Sequence, residues 1–337
     1  MKIFKLVFLT LLVGNTSFLF AQLGGKQSFE FLNLPIGARV AGLGGVGITS
    51  TESDVNLFMS NPAMLDSMNH NHISWSYFGF YADVKYNTLA YSFNHKGIGP
   101  IGFGIQRLGY GQFEGFDEVG NSTGTFKGGE TAVVISKSHQ ISVFRMGLSL
   151  KYINSSIENF NSSALAFDLG GTFIHPSREF MAGLLIKNIG FTLSDYTSTS
   201  NAEVPIDVQI GFTYKPEHMP FRLTGTVYNL NKPNSTYDDS SEGTPTWFDK
   251  GFRHVNLGVE IVFSQNFQVR TGYNHLLRKE LSLEEKAGMT GLTLGVMAKI
   301  KAFEISYTLA SYHVDGGRSY FTITSNLNKV FKKKSIL

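Results

Sequence analysis

The residues whose spacing comes nearest to a chemical site are glycines. Residues 42–47 read GLGGVG, which places Gly42, Gly44 and Gly47 on the three glycines of G-x-G-x-x-G, the loop that cradles a dinucleotide's pyrophosphate. That loop works only where it turns a buried strand into a helix whose N-terminal amides face the phosphates. Upstream, NLPIGARVA (33–41) puts a proline, a glycine and an arginine where a continuous apolar strand would have to run. Downstream, ITSTESDVNLF offers no second strand for an acidic ribose ligand to end. Gly42, Gly44, Gly45 and Gly47 are therefore read as places where backbone passes through a crowded space that admits no side chain.

The other chemical candidates are weaker. His70 and His72 stand at i and i+2 on an expected strand and would share a face, but no third metal ligand accompanies them. Asp238, Asp239 and Glu242 lie in a long loop without calcium-loop spacing, which reads as a solvated acidic stretch. There is no G-x-S-x-G elbow. The sequence nominates no catalytic residue, no metal and no cofactor, and a net charge of +3 is too mild to indicate nucleic acid as a partner.

The elements that would position any site are set by composition and period. The chain opens MKIFKLVFLTLLVGNTSFLFA, with Lys2 and Lys5 before an apolar run from Leu6 to Val13 and Ala21 before a polar stretch. This predicts a secretory signal over residues 1–21; the apolar run is well short of the roughly 20 residues a membrane-spanning helix needs. The sequence has no cysteine, so disulfides and thiolate metal sites are excluded. Charged residues make up 16%, under the roughly 25% usual for soluble domains, with 36 glycines and 29 phenylalanines, yet mean hydropathy is only −0.03. The chain is apolar without any long apolar segment.

From about residue 70 the hydrophobic period is two. In VFRMGLSLKYIN, Phe144, Met146, Leu148, Leu150 and Tyr152 point one way and Arg145, Gly147, Ser149 and Lys151 the other. SALAFDLGGTF, PIDVQIGFTYK and HVNLGVEIVF repeat the scheme. One face carries large aliphatic and aromatic residues; the other carries small residues with isolated charges such as Asp168, Asp207, Glu260 and Arg270, as when one side meets lipid and the other a polar interior. About fourteen strands fit between residues 71 and 331, joined alternately by brief turns (HKGI, SHQ, PSR) and long loops such as 109–129 and 231–251. Even strand number and sorted connections predict an all-β fold, a transmembrane antiparallel β-barrel over residues 70–331. A basic periplasmic tail, 332–337, follows, and the long loops face the cell surface. Residues 22–69, without period and holding the glycines, are expected to fill the lumen as a plug, since fourteen strands enclose more space than strand side chains alone fill.

The plug region carries a resemblance. FEFLNLPIGARVAGLGGVGIT (29–49) with FMSNPAML (58–65) resembles the N-terminal signature of the PorQ family, outer-membrane components of the type IX secretion system, and more distantly that of PorV. Both are similar to the FadL-like superfamily of fourteen-stranded barrels with an Asn-Pro-Ala turn in the plug, matched here by Asn61, Pro62 and Ala63. LLIKNIG (184–190), VRTGYN (269–274) and LTLGVM (292–297) are weaker echoes. The resemblance implies a non-enzymatic role: a barrel, set in outer-membrane lipid, holding a surface protein of the PorZ kind in an attachment complex that also contains PorU and PorV. The gripping residues would be aromatics of the longest loops, Tyr110, Phe113, Phe116, Tyr237, Trp247 and Phe248. The alternative is a FadL-like transporter of hydrophobic small molecules, which needs an apolar pocket inside; Leu57, Phe58, Met59 and Met64 are the residues that could line one.

Overall fold

The computed structural model describes residues 28–233, 246–281, 288–313 and 316–331. The expected signal, the basic tail, and Tyr237, Asp238, Asp239 and Glu242 lie outside them.

Fourteen strands close into one antiparallel barrel in sequence order: β1 (His72–Gly79), β2 (Lys85–His95), β3 (Gly99–Phe116), β4 (Ser122–Ile141), β5 (Phe144–Ile157), β6 (Phe160–Ile174), β7 (Phe180–Ser194), β8 (Asp207–Tyr214), β9 (Phe221–Val227), β10 (Val255–Ser264), β11 (Phe267–Asn274), β12 (Leu292–Ile300), β13 (Phe303–His313) and β14 (Gly316–Asn326). Closure joins the first strand to the last, with His72 opposite Asn326 and Phe78 opposite Tyr320, so no sheet edge is left around the wall.

Burial is inverted relative to a soluble protein. Phe144, Met146, Leu148, Leu150 and Tyr152 are exposed, while Arg145, Ser149 and Lys151 on the same strand are buried. A soluble sheet hides its apolar face from water; here the apolar face is the outside, and it meets lipid. No helix of the described residues is long and apolar enough to cross a membrane.

Three departures from the strand pattern have physical causes. Loop 109–129 is mostly strand: β3 and β4 run on beyond the wall as a two-stranded ribbon, closed by a turn in which Asp117 Oδ1 accepts from the backbone N–H groups of Val119 and Asn121. The Asn121 side-chain amide, foremost, and these backbone donors hold the Asp117 carboxyl below its usual range. The long loops also carry two short helices, α3 (Trp247–Phe252) and α4 (His275–Leu281). The last strand stops at Asn326 rather than Phe331, because Asn326 caps a final turn, α5 (Leu327–Val330), by accepting from Asn328 N–H.

Ahead of the strands lie α1 (Gly37–Gly42), α2 (Leu57–Ser60) and three 3-10 turns. These N-terminal residues pack against the inward-facing side chains of the wall. Phe31, Ile36, Ala38, Ala41 and Phe58 are buried in one cluster with Ala90, Ala132, Val134, Ala164 and Ala166 of the strands. The same cluster also takes in the larger Phe78, Tyr86, Leu108, Ile153 and Tyr320 of the wall.

Candidate functional site

Polar wall residues hold the N-terminal segment chiefly by its backbone carbonyls. Thr308 Oγ1 donates to the Ala38 carbonyl, and Thr293 Oγ1 to that of Gly42 at 2.9 Å. Asn256 Nδ2 donates to the carbonyls of Leu43 (2.8 Å) and Val46 (2.6 Å), Asn274 Nδ2 to Gly44, and Ser138 Oγ to Leu65. In the reverse sense, the Ala38 N–H donates to Thr322 Oγ1 at 2.8 Å. Donors thus converge on the segment from β4, β10, β11, β12 and β13, meeting the requirement that buried carbonyls be paired.

Charge supplies the second set of ties. Strand register places Arg222 and Arg270 on either side of Glu260, on β9, β11 and β10. Glu260 takes Arg222 at 2.8 Å, Arg270 at 2.8 Å and, from the N-terminal segment, Arg39 at 3.0 Å. Glu52, also on the segment, bridges back to Arg39 at 3.2 Å and Arg222 at 2.6 Å, and accepts from Gln268 Nε2 at 2.8 Å. Three guanidinium groups and two carboxylates are locked together inside the barrel, two of the five on the segment. At the short-turn rim Asp66 pairs with Arg145 at 3.0 Å and Arg178 at 3.5 Å. A separate triad, Lys151 with Asp168 (2.7 Å) and Asn188 (2.8 Å), stays within the wall.

The glycine motif takes its place in this frame. Gly42, Gly44 and Gly45 follow or end α1; Gly45 N–H donates to Val40 O and Gly44 N–H to Ala41 O, as at helix C-termini. The partial charge there is negative, the opposite of what a phosphate needs. Gly44 has φ +94°, and a Cβ there would overlap the Asn256 amide. Gly45 is required for its φ of +96° rather than for space, and Gly47 shows neither restriction. Asn61 Oδ1 caps the following turn by accepting from Ala63 N–H at 3.0 Å, and its Nδ2 donates to Ile48 O. The Asn61-Pro62-Ala63 turn lies flat on the wall: a Cβ on Gly147 would overlap the Pro62 carbonyl, and one on Gly170 would overlap Asn61 Oδ1.

The other nominated residues are dispersed. His70 Nδ1 accepts from Asn94 N–H, and His72 reaches the His70 carbonyl and Asn326. Among the described residues no three His, Cys, Asp or Glu come together as a metal site. Tyr110 donates to Glu130 Oε2 at 2.7 Å on the wall itself, whereas Phe113, Phe116, Trp247 and Phe248 are exposed, Trp247 to 74%. Trp247 and Phe248 stack at 3.6 Å on α3, which Asp249 ties to His275 of α4 at 2.8 Å. Burial opposes the charged form of Asp249, but His275 and Arg253 outweigh it and hold the carboxyl below its usual value. Tyr228, just past the end of β9, is buried, its OH donating to Asn274 Oδ1 at 3.0 Å.

Above the segment, toward the long-loop rim, is a cavity of about 350 Å³. Leu34, Ile36, Val40, Ile48 and Met59 of the segment line it, with Tyr228, Tyr312, Leu276 and Leu277 from the barrel. Polar groups of both the segment and the barrel share the lining, among them Glu30, Asn33, Lys187, Asp207, Gln209 and Glu280. Of the four residues expected to offer an apolar pocket, Met59 lines this one; Leu57, Phe58 and Met64 are buried in packing. The alternating strand pattern could not reveal the cavity, because its apolar lining comes mainly from the segment and a loop helix.

No family model matches the sequence, and no curated protein matches it. Among solved structures, the fold is similar to the monoaromatic hydrocarbon channel CymD (12% identity, 88% of this chain and 97% of that one, TM-score 0.52). It is similar to a deletion mutant of the monoaromatic hydrocarbon channel TodX to the same degree (11% identity, 86% and 97%, TM-score 0.52). A FadL homologue of Pseudomonas aeruginosa gives a weaker likeness (8% identity, 90% and 99%, TM-score 0.43). The likeness to CymD and TodX is one of fold, a closed β-barrel.

Proposed function

We propose that this barrel sits in an outer membrane with its long loops outward and takes a small, largely apolar molecule into the cavity above the N-terminal segment, which acts as a plug. The cavity carries this reading: it is a concave space in which aliphatic and aromatic side chains share the lining with polar groups, as in small-molecule sites. The hydrocarbon channels of similar fold support it over a purely anchoring role. Toluene is the probe. Purified barrel in detergent should bind it, and Ile36→Trp, which fills the cavity without touching the charged cluster, should weaken binding at least about ten-fold, or about 1.4 kcal/mol. Equal affinity in the filled variant, or no binding by the native barrel, would remove this reading.

A second reading rests on the exposed aromatics. Phe116 at the ribbon end and the Trp247–Phe248 stack lie bare at the long-loop rim, and large aromatics often anchor protein interfaces. With the resemblance of residues 29–49 to PorQ proteins, this supports a barrel that holds a surface protein. Replacing Trp247 and Phe248 together by alanine should leave gel mobility of the folded barrel unchanged and weaken retention of the co-purifying surface protein by about 2 kcal/mol or more. Full retention by that variant argues for the cavity reading alone.

A further inference from the structure

The polar groups around the cavity are unequal in what they leave over for a ligand. Its principal donors are engaged within the protein. Lys187 Nζ donates to the Leu32 carbonyl at 3.3 Å, and Asn33 Nδ2 to Glu30 Oε2 at 2.7 Å. Gln209 Nε2 donates to Asp207 Oδ2, Asn274 Nδ2 to the Gly44 carbonyl, and the Tyr228 hydroxyl to Asn274 Oδ1.

The acceptors keep more in reserve. An ionised carboxylate has about four lone-pair positions. Asp207 uses two, for Gln209 and for the Asn229 N–H, and Glu30 uses one, for Asn33. Glu280 of α4 lines the cavity and makes no hydrogen bond or ion pair with a described residue.

Charge points the same way. Glu30, Asp207 and Glu280 share the lining, and among the described residues Lys187 is its one cation. Lys187 stands opposite Asp207 in the register of β7 and β8. These two offset each other, so Glu30 and Glu280 leave the space negative. Aromatic rings attract cations to their faces, and Tyr228 and Tyr312 are in the same lining.

We propose that the ligand of this cavity is an aromatic molecule bearing a protonated amine. Its ammonium, which only donates, meets the spare lone pairs of Asp207, Glu30 and Glu280, while its ring lies among the aliphatic side chains. A carboxylate ligand would find two uncompensated carboxylates and a lysine already in use. The inference rests on the cavity reading and names the ligand class within it.

The probes are benzylamine, protonated at neutral pH, with toluene and benzoate of similar size, each titrated calorimetrically into purified barrel in uncharged detergent. Benzylamine should bind at least about ten-fold tighter than benzoate. Glu30 and Glu280 are both exposed, so replacing the pair by glutamine should leave the barrel folded by gel mobility. That variant should lose affinity for benzylamine at least about five-fold more than for toluene. Toluene binding with no preference for benzylamine over benzoate overturns this inference and leaves the cavity reading standing. A preference for benzylamine that survives in the double variant also overturns it, since the charge then comes from elsewhere. Binding of none of the three overturns both.

Discussion

Glu260→Gln is expected to unseat the N-terminal segment, at a cost of about 3–5 kcal/mol, the usual consequence of removing one partner from a buried ion pair. Glu260 is the shared acceptor of Arg39, Arg222 and Arg270. Without its charge, Arg270 keeps its hydrogen bonds to Ser306 and Gln268 but loses its ion pair, and Glu52 is the carboxylate still bridged to Arg39 and Arg222. Arg39→Met should be milder although it cuts the segment's own tie, because it leaves two cations with two carboxylates. The measurement is the denaturant midpoint for protease access to residues 28–69 in otherwise folded barrels. An Arg39→Met effect as large as that of Glu260→Gln would show that the tether, and not charge balance, holds the segment.

Gly272→Val is expected to open the barrel. Gly272 faces inward on β11, where an added Cβ would overlap the backbone of Leu43 and Gly44, atoms that no rotamer change can move aside. The ladder and the lipid face are untouched, and valine suits a strand better than glycine. The wall should therefore assemble while the segment is displaced, and planar-bilayer conductance should approach that of a barrel lacking residues 22–69. Gly171→Val is the control, since a Cβ there meets nothing within 4 Å. Conductance of the Gly272→Val barrel no higher than native, with the segment still protease-protected, would mean that the segment does not close the lumen.

These two positions mark the boundary between sequence and structure. Strand number, and the outward faces of segments such as 143–154, were legible from the sequence. A period of two with one large apolar face has few solutions, and sorted short and long connections select the closed one. The charges on the inward faces were legible too, but as isolated groups. Glu260 and Arg270 read as single charges on adjacent strands, because register and the arrival of Arg39 and Glu52, more than 170 residues earlier in the chain, are decided only when the wall closes around the segment. For the same reason the glycines were all read as crowding sites, whereas space is short only at Gly42 and Gly44, φ decides at Gly45, and Gly47 shows neither restriction. Loop 109–129 failed differently. Its short alternation is broken by glycines, yet two such stretches become a ribbon once β3 and β4 are held in register by the wall below them. Local pattern determined what each strand shows to lipid; what fills the barrel, and what the rim presents, depended on contacts between residues far apart in the chain.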